Sequence, residues 1–425
     1  MTTELKDSLV QQYNTLEHNL GTEVLSDLRK DAFTNFQVLG FPTTKHEEWK
    51  YTNLKQTIAK SYELGSSASL SEADVKAAIE LPLDCYKVVF INGIFSSSLS
   101  QIDSKEIDVR LFGSADQNLV NAYFGKNLPY TDSLISLNLA FATQGTVIHV
   151  KAKKTVAKPI VCFYLSDVRK TNVFAQPSVL VVLEEGSHTT LVEINRSIGT
   201  HTSFTNVFTH GVLKKDAYLE HYKIQNDIDE SSFINNTQLL HEGKSNSNTT
   251  TITLNGGLVR NNLNITLNAE HCEAHLNGLY LEKGTQHIDN HTLVDHAKPN
   301  CFSNELYKGI LDGKSTGVFN GKIWVRKDAQ KTNAFQSNKN ILLSKEASVN
   351  TKPQLEIFAD DVKCSHGATT GQLDEEALFY LRARGVGIDT AKKLLVHAIA
   401  FDVIDKVKNE ELKAYLEQEI EKRLS

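Results

Sequence analysis

“VLEEGSHTTLVEI”, residues 182–194, sets one strand-like run against a second across a short Glu-Glu-Gly-Ser turn. The same arrangement, a leucine, then a small residue or turn, then another strand, returns in “VLKKDAYLEHYKI” (212–224) and “LNAEHCEAHLNGLYL” (267–281). It returns once more in “LLSKEASVNTKPQLEI” (342–357). From Thr146 to Val362 the texture is of short strands, among them “TVIHVKA”, “SVLVVLEE”, “ITLNA” and “GKIWVRK”. Proline is sparse there, and helical periodicity is missing. Short strands joined by tight turns, repeated without helices, predict a β-solenoid or a β-sandwich. The irregular spacing of the repeats leaves both open.

Outside this stretch the pattern is helical. Leu5, Leu9, Tyr13 and Leu16 recur at helical spacing, and Val24, Leu25, Leu28, Ala32 and Phe36 do so again. “GSSASLSEAD” (65–74) reads as a Gly/Ser linker, with Ser71 and Asp74 spaced to cap a following helix. A strand-like “YKVVFINGIF” begins at Tyr86. At the other end, “DEEALFYLRARG” (374–385) opens on acids and closes on Arg382, Arg384 and Gly385, the polarity a helix dipole favours. “DTAKKLLVHAIAFDVI” (389–404) places Leu394, Leu395, Ala398 and Ile399 on one stripe. “NEELKAYLEQEIEKRL” (409–424) does the same with Leu412, Leu416, Ile420 and Leu424. The expected organisation is a mostly helical region with a few short strands over 1–145, a strand core over 146–370 and a helical domain over 371–425.

At 425 residues the chain exceeds what one hydrophobic core usually supports. Its 40% hydrophobic and 23% charged residues are those of a globular protein. A net charge of −6 argues against nucleic-acid binding, which needs a basic stripe. “MTTELKDSLVQQYNTLEHNL” lacks the basic start and apolar core of a secretory signal, and no apolar run nears the ~20 residues that span a bilayer. The five cysteines, at 85, 162, 272, 301 and 364, form no CxxC pair. A reducing cytoplasm is the expected compartment.

Several motifs invite chemistry. “GILDGKST” (309–316) resembles a phosphate loop but is one residue short, and the strand-like “GVFNGKIWV” follows where a helix is needed. A turn between strands is expected, so any ATP dependence would use a partner's ATPase. Histidines cluster in “HCEAH” (271–275) and “HIDNHTLVDH” (287–296). Along a strand, positions i and i+4 lie about 13 Å apart, too far to share one metal, so surface or ladder histidines are expected. Asp360 and Asp361, taken as strand neighbours, would face opposite ways and cannot cooperate. In “KCSHGATTG” (363–371), Cys364 and His366 share a strand face about 7 Å apart. They suit an iron or sulfur role, with a buried cysteine as the competing reading.

The run “HTLVDHAKPNCFSNELYKGILDGKSTGVFNGKIWV” (291–325), continued by “DAQKTNAFQSNKNILLSKEASVNTKPQLEIFADDVKCSHGATTGQLDEEALFYLRARGV” (328–386), resembles the SufB/SufD family of iron–sulfur cluster assembly proteins. “GFPTTKHEEWKYT” (40–52) looks like the family's N-terminal signature. Within the family the chain resembles the SufD branch. “SKEA” (344–347) lacks the cysteine of the SufB branch, and His366 is flanked by Ser365 and Gly367 rather than by acids.

The resemblance implies a mainly β protein, a right-handed parallel β-helix core between helical ends. It implies a non-catalytic scaffold subunit that supports iron entry and nascent cluster formation. The partners implied are SufB, joined through the β-helix core, and the ATPase SufC, docked on the C-terminal helical domain. Leu394, Leu395, Ala398, Ile399, Leu412 and Leu416 are then the candidate SufC contacts. His366 matches a histidine implicated in cluster formation at the SufB interface, and Cys364 matches its neighbouring cysteine. The cargo would be a transient iron–sulfur cluster or iron shared with SufB. ATP would enter only through SufC, and the reduced flavin linked to such complexes has no recognisable motif here. No nucleic acid or membrane is implied, and a homodimer can form in isolation. Other readings are a SufB-like homodimeric scaffold, a stand-alone zinc protein, or a β-helix enzyme acting on carbohydrate. That enzyme would need a carboxylate cluster, or Ca²⁺ with a basic residue, and a route out of the cell.

Overall fold

The computed structural model describes residues 4–19, 25–65, 70–128, 132–142 and 145–424. From Thr146 the chain alternates between two sheets. Sheet A takes strands Thr146–Val150, Ser178–Leu183, Ser203–Leu213, Ser232–His241, Leu258–Leu267, His287–His296, Thr316–Val325 and Ser348–Ile357. Sheet B takes Ile160–Val168, His188–Gly199, Tyr218–Asn226, Asn246–Asn255, Glu273–Glu282, Phe302–Leu311, Thr332–Leu342 and Val362–Gly371. Neighbouring strands within each series pair in parallel. One A strand and one B strand make a rung, and about eight rungs stack into a parallel β-solenoid. Rung length varies: Asn235 pairs with Asn261, but Phe319 pairs with Thr351. Insertions at the corners therefore break the repeat that the sequence shows only loosely.

The interior is apolar near the sheet centres, where Ile148, Val181, Val207, Phe233, Leu263 and Ile288 stack between the sheets. Both outer faces are also covered along part of their length. Helices Ser26–Leu39, Gln117–Tyr123 and Ser133–Ala140 bring Phe33, Val120 and Ile135 onto Leu180, Val182 and Phe208 of sheet A. Strands buried on both faces lose their alternation. Ser178–Leu183 is buried at every residue, whereas Thr332–Leu342, further along, alternates.

The helices form where the sequence predicts them. Leu5, Leu9 and Tyr13 of Glu4–Asn19 and Ala32 and Phe36 of Ser26–Leu39 are buried; the side chain of Leu16 and all of Val24 fall outside the described residues. Ser71 and Asp74 close the expected capping box on Glu72–Ala78. Helix Glu375–Ala383 is capped by Asp374, whose Oδ1 accepts from the Glu376 and Ala377 amides. It ends in a Schellman motif, with Gly385 at φ 88, its amide donating to Arg382 O and that of Val386 to Leu381 O.

The two ends of the solenoid differ. At the first, Tyr86–Ile91 pairs with Ile160–Val168 and Ile107–Leu111 pairs with Thr146–Val150, so both sheets are extended by preceding chain. At the last, no described strand pairs beyond Ser348–Ile357 or Val362–Gly371. Pro353 sits in this terminal rung, where an edge tolerates the missing N–H. The turn at 312–315 joins two strands, as the short phosphate-loop look-alike predicts. Asp360 and Asp361, expected on a strand, instead occupy the bend between the last two strands, so their separation owes nothing to strand alternation. No helix among the described residues is long and apolar enough to cross a membrane.

Candidate functional site

Val362–Gly371 is the last strand of sheet B, and nearly all of it is exposed. Cys364 pairs in register with Ala334 and His366 with Gln336, both of which point into the solenoid. The expected shared face is therefore the inner one, laid open because no rung follows. The two side chains differ in environment. Cys364 is half-buried against Ile323, Val325, Ala334 and Ala359, and burial pushes its thiol pKa up. His366 is exposed, above a polar column rather than an apolar one. Directly beneath it, Gln336 Nε2 donates to Glu305 Oε2 at 2.7 Å, and both residues are buried. Burial raises the Glu305 carboxyl to about 7. Sequence reading missed Gln336 and Glu305, because only the rung register places them under His366.

The clustered histidines serve a different purpose. The segment Glu47–Thr52, within the N-terminal signature, lies across the outer face of sheet A. Thr52 Oγ1 is 2.8 Å from His287 Nε2 and also bonds Asp289. His291 sits between Asp289, at 3.0 Å, and Glu48, at 3.3 Å. Arg260 donates to Asp289 Oδ2 at 2.5 Å and stacks on Trp49, its guanidinium carbon 3.9 Å from the ring centroid. Burial alone would raise the Asp289 pKa, but Arg260 and His291 hold it well below the usual carboxylate range. His291 thus bonds Asp289 directly, while His287 reaches the same carboxylate through the Thr52 hydroxyl. His271 is exposed in a turn, and His296 is fully buried on its strand, in register with Leu267 and Val325. Among the described residues, no group of three or more His, Cys, Asp or Glu is arranged to hold a metal ion. Cys272 and Cys301 occupy adjacent rungs as free, buried thiols.

The six C-terminal candidates do not form one surface. Leu412 and Leu416 are fully buried and Ile399 is partly so, packed with Val396, Ala400 and Ile420 on Val192, Ile194, Ile224 and Ile252 of sheet B. Leu395 is half-buried, and only Leu394 and Ala398 are exposed. Leu412 and Leu416 are therefore covered by this chain's own sheet B and are not open to a partner. A helical apolar stripe tells that a surface is covered, not whether the cover belongs to the same chain. The large apolar groups left open on helices Glu375–Ala383 and Ile388–Ile404 are Phe379, Tyr380, Ile388, Leu394 and Phe401.

A stacked-rung core with one bare end and helical covers defines a class. Residues 165–399 match the SUF system FeS cluster assembly SufBD core domain, and residues 3–162 match the SufBD protein N-terminal region. The chain belongs to the SufBD family of iron–sulfur cluster assembly proteins. It is 33% identical over 393 residues to the iron–sulfur cluster assembly protein SufD of Escherichia coli, covering 91% of this chain and 90% of that one. It is 31% identical over 414 residues to a SufBD family protein of Synechocystis, covering 94% and 91%. It is 24% identical over 440 residues to SufD of Bacillus subtilis, across the full length of both.

Proposed function

We propose that this chain is the SufD-type, non-catalytic subunit of a SUF assembly complex, joined to SufB through its terminal rung. The carrying observation is that rung. Two ten-residue strands, Ser348–Ile357 and Val362–Gly371, end the sheets with one backbone edge each free of any described strand, and His366 lies exposed on the second of them. Bare edges are templates for pairing with another chain. The exposed imidazole supplies one ligand to iron or a nascent cluster, and SufB supplies the others. A ligand set split between two chains is incomplete on either alone, which suits a site that must release its cargo. SufC docks on the face formed by Phe379, Tyr380, Leu394 and Phe401, from which motion reaches the terminal rung through Gln372–Asp374.

Hydrogen exchange tests the docking. Adding SufB should slow amide exchange in Val362–Gly371 and Ser348–Ile357 by about tenfold or more while leaving the first rungs unchanged. A complex that forms with those two strands still exchanging freely would place the interface elsewhere. Protection that appears in the isolated chain with rising concentration would show a second copy using the same edge.

A further inference from the structure

In register from the open end inward stand His366, Gln336, Glu305 and then Leu276, so polar side chains fill the first two buried positions beneath the open end. Gln336 is held tightly. Its Nε2 donates to Glu305 Oε2 at 2.7 Å, and it lies so close to Gly321 that a Cβ there would come 2.2 Å from that nitrogen. A glycine in the facing strand therefore leaves the room this amide needs. With Nε2 committed, the only other polar atom of the side chain is Oε1, an acceptor. Oε1 is buried and has no hydrogen-bond partner. An orphaned buried acceptor is costly, by about 1–3 kcal/mol, and so calls for a partner. The residue above it, on the same face, is His366.

We propose that Glu305 and Gln336 are positioning residues for His366: Glu305 fixes the amide of Gln336, whose Oε1 accepts one ring N–H of His366 and so leaves the other ring nitrogen as the ligand. The bond a histidine makes through one nitrogen sets which nitrogen binds metal. The contact forms when the imidazole is drawn inward over Gln336, as it is when SufB covers the rung. This inference rests on His366 being a ligand to the cargo, and its test separates the two ideas.

The full chain, labelled with ¹⁵N-histidine and bound to unlabelled SufB and SufC, reports ring tautomers at pH 8 by long-range ¹H–¹⁵N correlation, with His366→Ala identifying the signal. The wild type should show one dominant tautomer. Gln336→Leu and Glu305→Leu should both give a mixture, and Glu305→Gln, which keeps an acceptor oxygen, should restore the single form. Cluster yield per assembled complex should fall about tenfold in both leucine variants, the usual cost of losing a ligand's outer partner. Thermal unfolding of each variant checks that it is folded. An unchanged His366 tautomer in both leucine variants would overturn the inference. A mixed tautomer with full cluster yield from His366→Ala would instead sink the ligand reading and leave the orienting contact standing.

Discussion

Arg260 stacks on the indole of Trp49 with its guanidinium carbon 3.9 Å from the ring centroid, while its Nη1 bonds Asp289 at 2.5 Å. Both partners of the ion pair are 1% exposed, so the N-terminal segment is locked to the solenoid through a buried charge. Asp289→Ala should cost about 3–5 kcal/mol, because it strands the Arg260 charge. Replacing both, Arg260→Met with Asp289→Leu, should recover much of that. Urea unfolding measures each. A loss below about 1 kcal/mol for the single variant would mean that the segment is held by other contacts.

His296 carries a pH signature. Burial lowers its pKa to about 3, against about 6.5 in the unfolded chain. Between those values the unfolded state binds a proton that the folded state refuses, so stability is lost as pH falls from 6.5 toward 3. In the same column stand Leu267 and Val325, which makes His296→Leu a compatible replacement. The variant's stability should depend on pH less steeply across that window, by about 1.4 kcal/mol per unit. Parallel curves for the two proteins would contradict the buried neutral state.

The C-terminal helices separate folding from docking. Leu412→Ala, at a fully buried site on sheet B, should cost about 2–5 kcal/mol. Leu394→Asp, at a side chain 50% exposed, should change stability by about 0.5 kcal/mol or less yet weaken SufC capture. Removing everything beyond Gly385 is a poor substitute, since it would uncover the apolar face of sheet B. Pull-down beside unfolding curves checks this, and full SufC capture by Leu394→Asp, Phe401→Asp double variants would move the docking face.

The pure chain should neither hydrolyse ATP nor retain stoichiometric zinc. Its one phosphate-loop look-alike is a strand-to-strand turn, and no closed ligand set exists among the described residues. Phosphate release and metal analysis check both, and robust turnover by the isolated protein would contradict the non-catalytic assignment.

Local sequence carried the parts of this structure governed by local physics. The Ser71–Asp74 box and the Gly385 stop were readable because capping depends on a few adjacent residues. The shared face of Cys364 and His366 followed from strand alternation alone. What escaped was set by register across rungs. Gln336 and Glu305 come under His366 only once the coils are stacked, and corners of unequal length hide the period that would have aligned them. Leu412 and Leu416 misled for a related reason: their stripe meets strands from much earlier in the chain.

His366 should act in chemistry and not in folding. The direct measurement compares cluster yield with complex yield for His366→Ala co-expressed with SufB and SufC. The side chain is exposed on the terminal strand, so its loss should cost about 1 kcal/mol or less and leave complex yield at wild type. Iron and sulfide per complex should fall to background. If complex yield falls together with the cluster, His366 is structural; if neither falls, cluster assembly does not use it.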